Sequence, residues 1–213
     1  AGEGTTLNNI SQIYDARGDY ETALGYLERS LKIFQEIGDK SREGTTLNNI
    51  SQIYDARGDY ETALGYLERV LKIFQELGDK AHEGGTLNNI SQIFQARGDY
   101  ETALGYLERS LKIRQEIGDK AGMIPTLHNM AHIHLQNQQI EPALEKFVRA
   151  LQLAQETQYA QGLFNVSRDL GRLLCQLGSK EQGLPLLKQA LALGQAMGHP
   201  GAGAVEALVR EYS

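Results

Sequence analysis

Gly4 to Glu43 reads GTTLNNISQIYDARGDYETALGYLERSLKIFQEIGDKSRE, and Gly44 to Glu83 repeats it with four changes: Val70 for Ser30, Leu77 for Ile37, Ala81 for Ser41 and His82 for Arg42. Gly84 to Met123 repeats it again with seven changes, among them Phe94, Gln95 and Arg114 for Tyr14, Asp15 and Phe34. Ile124 to Leu163 and Phe164 to Gly203 keep the 40-residue spacing but drift, and residues 204–213 begin a sixth copy. A fixed period of this length marks stacked units, none of which can bury its apolar face alone.

Each unit spells two helices. Leu7, Ile10, Ile13 and Tyr14 recur at helical spacing, and Ala23, Leu24, Leu27, Leu31, Phe34 and Ile37 form a second stripe. Gly18 and Gly38 supply turns, and Asp19 and Asp39 stand where a side-chain oxygen caps the following helix. Ser11 and Ala23 are small where the two helices should cross. Gly25, Gly65 and Gly105 lie inside second helices, each at a cost of roughly 1 kcal/mol relative to Ala; close packing of a neighbour is the expected reason. Glu28 and Lys32 are spaced for an i,i+4 ion pair on a solvated face.

The 213 residues carry a net charge of −6, no Trp and no long basic run. Phosphate-backbone binding needs clustered Lys and Arg, so nucleic acid is not an expected partner. Cys175 is the only cysteine, which fits a reducing compartment and reads as a buried structural thiol rather than a nucleophile. No apolar run approaches the roughly 18 residues that span a bilayer, and no signal peptide opens the chain. A cytoplasmic protein without membrane association is expected, and the missing initiator Met suggests a processed form or a piece of something longer.

Leu7, Ile10, Ser11, Tyr14, Gly18, Tyr20, Ala23, Leu27 and Ser30 together resemble the tetratricopeptide repeat, and the resemblance runs from Gly4 to about residue 203. The unit is longer than the family's standard of about 34 residues. With Gly-Asp-Lys between repeats it is similar to the units of kinesin light chains, of the Leu-Gly-Asn-repeat polarity adaptors and of bacterial signalling proteins. The resemblance implies an all-α, right-handed solenoid of antiparallel helix pairs. Five repeats (4–43, 44–83, 84–123, 124–163 and 164–203) would form a single superhelical domain, with 204–213 as a partial sixth repeat or a capping helix. It also implies that first helices line a concave groove for a peptide segment. An asparagine on successive first helices would hydrogen-bond that peptide's backbone, and the matching positions are Asn9, Asn49, Asn89 and Asn129. The fifth unit has Asp169 there, which would instead meet an amide or a basic side chain.

A carboxamide both donates and accepts, so a row of them reads backbone rather than sequence. Specificity then falls to neighbours on the same face: Asn8 and Gln12, Asn48 and Gln52, Asn88 and Gln92, His128 and His132, Arg168 and Arg172. This face changes from neutral or acidic at one end to basic or histidine-rich at the other, a polarity that could orient a ligand. His128 and His132 are four apart on one helix. A zinc protease, however, needs a Glu where Asn129 stands, so the pair reads as part of a polar groove with a possible pH response. Three Arg-Gly-Asp triplets, at Arg17, Arg57 and Arg97, follow from the turn and the cap. No catalytic residue, cofactor or metal is expected. The leading expectation is a peptide-binding scaffold; the alternative is a module that self-associates by stacking its terminal repeats.

Overall fold

The computed structural model describes residues 2–213, which form eleven α-helices and no strand. They are α1 (Gly2–Asp15), α2 (Tyr20–Glu36), α3 (Lys40–Ala56), α4 (Tyr60–Glu76), α5 (Lys80–Ala96), α6 (Tyr100–Glu116), α7 (Lys120–Gln136), α8 (Ile140–Glu156), α9 (Ala160–Gln176), α10 (Lys180–Ala196) and α11 (Ala202–Tyr212). From α2 to α10 each helix has 17 residues, a rod of about 25 Å.

The turns explain the regularity. Gly18 has φ +75°, a conformation that costs a side chain but not glycine. There Asp19 N–H reaches back to Tyr14 O (2.9 Å) and Gly18 N–H to Asp15 O (2.8 Å), closing the end of α1. The Asp19 carboxylate then accepts from Thr22 N–H at 3.2 Å to start α2, and Asp39 does the same for α3 from Arg42 N–H at 3.1 Å. The repeated Arg-Gly-Asp is thus a turn and a cap. Because Asp39 caps α3, the structural unit begins at Lys40, one helical turn before the sequence period counted from Gly44.

The chain divides into two compact units, one extending to Ile113 and the other from Arg114 to Ser213. In the first, Ala23, Leu27, Ile50 and Ile53 pack with Tyr14, Tyr54 and Tyr66, and Ala63, Leu67, Ile90 and Ile93 repeat the arrangement 40 residues on. The helices of a pair run antiparallel: Ser30, late in α2, donates to Gly4 O, early in α1, at 2.8 Å. Ser110 makes the same bond to Gly84 O, whereas Val70 fills that site with a buried apolar side chain. Gly4 and Gly44 admit the rings of Phe34 and Phe74, whose Cζ atoms would lie 2.8 and 2.9 Å from an added Cβ. In the second unit, Gly171 and Gly183 let the backbones of α9 and α10 meet, and Cys175 is buried beside them. Val205 of α11 packs on Phe164 and Ala190.

Several expectations change. Nothing lies within 4 Å of a Cβ placed on Gly25, Gly65 or Gly105, so close packing does not explain these glycines. The second-helix stripe ends at Phe34; Ile37 is the C-cap and 52% exposed. Ile13 is 53% exposed, whereas α2 and α4 cover its counterparts Ile53 and Ile93. Lys32 lies 4.0 Å from Glu36 rather than pairing with Glu28. No described helix is long and apolar enough to cross a membrane.

Candidate functional site

Several of the first-helix residues singled out in the sequence are engaged with one another across neighbouring repeats. Asn49 Nδ2 donates to Asn8 Oδ1 at 3.2 Å, and Asn89 Nδ2 donates to Asn48 Oδ1 at 2.8 Å. Asn8 Nδ2 in turn donates to Thr46 Oγ1 at 3.2 Å. The asparagine partners are 41 residues apart, one period plus one, because first helices of adjacent pairs lie side by side in that register. His128 and Asp169 are the same two positions in the second unit, with His128 Nε2 2.9 Å from Asp169 Oδ2.

Two equivalent clefts open beside the asparagine pairs in the first unit. One, of about 230 Å³, is lined by Thr5, Asn8, Asn9, Gln12, Phe34, Arg42, Thr45 and Asn49. The other, of about 190 Å³, is lined by Thr45, Asn48, Phe74, Ala81, His82, Gly85, Thr86 and Asn89. Each combines carboxamides and hydroxyls with the edge of one aromatic ring. Arg42 lies over Phe34 and is tied to Asp39 at 2.5 Å; His82 stacks on Phe74 at 4.6 Å and meets Asp79 at 2.8 Å. Phe34, Phe74, Arg42 and His82 were not among the expected binding residues. They sit on second helices or at first-helix starts, and only the packing brings them to this face. For the rings the signal was present, since Phe34 recurs as Phe74; His82 replaces Arg42.

Asn9 is exposed, as are Gln12, Gln52 and Gln92; Asn49, Asn89 and Asn129 are half-buried and Asn88 is buried. Asp55 lies half-buried near Gln52 and Gln92, and burial raises its pKa. In the second unit Asp169 is 5% exposed, and the basic side chains it meets belong to this chain. Arg168 donates to it from Nε (2.8 Å) and Nη2 (2.9 Å), and His132 Nε2 stands 3.1 Å from Oδ2. Burial alone would raise its pKa, but His128, His132 and Arg168 outweigh burial and hold the carboxylate well below its ordinary range. Arg172 is exposed.

A family model of the tetratricopeptide repeat matches residues 2–76 and 82–156. The chain belongs to the tetratricopeptide repeat family. Its consecutive antiparallel helix pairs are the family's fold, and solved structures share it. BtubC (BKLC) from P. vanneervenii is 20% identical with a TM-score of 0.71, over 90% of this chain and 80% of that one. A putative kinesin light chain from Podosopora anserina, with nearly identical tetratricopeptide-like repeats, is 19% identical with a TM-score of 0.66, over 92% and 96%. The Rap conjugation gene regulator of plasmid pLS20, solved with the Phr* peptide, is 14% identical with a TM-score of 0.79, over 97% of this chain and 57% of that one. This tetratricopeptide protein therefore spans little more than half of the Rap regulator. No curated protein matches its sequence.

Proposed function

We propose that this tetratricopeptide protein is an interaction scaffold that holds a peptide segment of a partner on its first-helix face, chiefly through Asn9, Asn49, Asn89 and Asn129. The observation that carries the reading is the pair of equivalent clefts, one period apart, each rimmed by carboxamides and hydroxyls. Asn49 and Asn89 each use one N–H on a neighbouring asparagine. A carboxamide has two N–H donors and an oxygen with two lone pairs, so each keeps a donor and an acceptor for an extended backbone. The internal bond also fixes the side chain in advance, which lowers the entropy cost of binding. The Rap regulator's structure in complex with the Phr* peptide supports the same use of the fold. A cytoplasmic site of action accords with the lone thiol.

The test is selection from a displayed peptide library by the native chain, repeated with Asn9, Asn49, Asn89 and Asn129 all changed to Ala after matching helicity. Peptides enriched by the native chain should bind the variant at least tenfold more weakly. Equal binding by both sinks the asparagine reading.

Self-association is the second reading, and the exposure of Ile13 favours it. Another copy stacked on α1 would bury Ile13 as α2 buries Ile53. Mass that rises with concentration in light scattering, and falls back on Ile13→Glu, is the expected result; a constant monomer mass removes this reading.

A further inference from the structure

Three ligand-type atoms converge in the second unit. Nε2 of His128 and Nε2 of His132 lie 2.9 and 3.1 Å from the same Oδ2 of Asp169, and the two nitrogens are 3.4 Å apart. As hydrogen bonding alone the arrangement is poor, because two imidazole N–H groups would crowd one oxygen with their like ends together. As a coordination face it is well matched. With metal–ligand bonds of about 2.0–2.1 Å, neighbouring ligand atoms stand about 3.3 Å apart in a tetrahedral site and about 2.9 Å apart in an octahedral one. The observed separations lie within or close to that range, and a cation at such bond lengths fits about 0.9 Å off the plane of the three atoms without moving them.

The surroundings hold the donors in place. His128 and His132 project from successive turns of α7, and their rings meet edge-on at 4.5 Å. Both rest edge-to-face on Phe147 of α8, at 5.6 and 5.4 Å, and that ring is fully buried. Arg168 Nε fixes Asp169 through Oδ1, while the histidine contacts are to Oδ2. His132 remains about a third exposed, which leaves a way in from solvent.

We infer that His128, His132 and Asp169 form a divalent-cation site of the zinc class, with two imidazoles from α7, one carboxylate from α9 and the remaining positions open to water. Asn129 only excludes the zinc-protease chemistry; the third ligand comes from a different helix, 37 residues beyond His132. In the bound state each imidazole holds its proton on Nδ1 and presents the Nε2 lone pair, and Arg168 Nη2 releases Oδ2 while Nε keeps Oδ1. The guanidinium beside the site opposes added positive charge. That selects an ion with strong imidazole affinity over Ca²⁺ or Mg²⁺, which prefer oxygen ligands. The bound ion would clamp α7 to α9. This inference does not rest on peptide binding.

The experiment is calorimetric titration of the full, tag-free chain with Zn²⁺ alone, alongside Co²⁺ titration followed by visible absorption. One equivalent of Zn²⁺ should bind, the melting temperature should rise, and Co²⁺ should give the ligand-field bands of an imidazole-bearing site. His132→Ala and Asp169→Asn should each weaken Zn²⁺ binding at least tenfold. His134→Ala, whose ring contacts Gln139 at 2.7 Å instead, should leave it unchanged. His132 is partly exposed, so its variant is expected to fold, and circular dichroism checks this. No saturable Zn²⁺ binding by the native chain, or binding that survives His132→Ala in a folded protein, overturns the inference.

Discussion

Asn89 Nδ2 donates to Asn48 Oδ1 across 2.8 Å, so a side chain placed to read a ligand is already held by the repeat before it. The two adjacent asparagines of α1, α3 and α5 therefore differ in role. Asn48 loses a partnered acceptor on change to Ala, and Asn48→Ala should cost about 1 kcal/mol of stability. Asn9 is exposed, and Asn9→Ala should stay within about 0.5 kcal/mol of the native protein. Urea denaturation of both variants distinguishes them. Equal, negligible losses would mean that the bond between asparagines contributes nothing.

The helices and turns were legible because the sequence states them repeatedly. Gly18, Gly38, Gly58 and Gly78 all take positive φ, and Asp19, Asp39, Asp59 and Asp79 all cap as their positions suggest. The face of the first helices was legible only in part. The family resemblance put Asn49 and Asp169 there, but not what they touch, because the 41-residue register depends on how adjacent pairs pack. Asp169 was expected to meet an amide or a basic side chain, and the structure supplies the basic side chains from this chain itself: His128, His132 and Arg168. Ile37 misled for a local reason: it continues the helical period by one step after the helix has ended.

Two glycines in the second repeat should respond oppositely to the same change. A methyl at Gly44 would stand 2.9 Å from Phe74 Cζ, against a ring that is only 2% exposed. Gly44→Ala should destabilise by about 1–3 kcal/mol through overpacking. At Gly65 the added methyl meets nothing within 4 Å, so Gly65→Ala should stabilise by about 1 kcal/mol through helix propensity alone. Denaturation midpoints with unchanged slopes are the measurement, and a loss at Gly65 would point to a role for the bare helix surface in binding or assembly.

The fourth repeat has drifted at its turns. Gln138 (φ +60°) and Gln158 (φ +53°) occupy the positions that Gly18 and Gly38 hold in the first. A side chain in this conformation costs about 1–2 kcal/mol, partly offset by the greater freedom of glycine in the unfolded chain. Gln138→Gly should therefore raise the melting temperature by about 2–4 °C. Gly178→Ala, at φ +85°, should lower it by a similar amount. Scanning calorimetry of the two variants tests the pair, and a fall for Gln138→Gly would show that the Gln side chain contributes more than its backbone costs.

Glu83 is one residue through which acid should weaken the first unit. It is 5% exposed, with Oε2 2.7 Å from Lys80 Nζ and Oε1 accepting from Gln75 Nε2 at 3.0 Å. Burial by itself would raise its pKa, but the bonds from Lys80 and Gln75 prevail and the pKa is lowered. A carboxylate whose folded pKa lies below its unfolded value of about 4.3 favours folding when ionised. Its contribution is complete above that unfolded value and fades as the pH falls through the folded one. Glu83→Gln keeps the shape and removes the charge, so the variant should be less stable than the native protein at pH 7. The gap should hold down to about pH 5 and narrow below about pH 4.3, as the native carboxylate takes up its proton. Melting temperatures of both proteins between pH 7 and pH 3 provide the check. A gap that stays constant across that range would mean that the charge of Glu83, and with it the Lys80 pair, does not stabilise the fold.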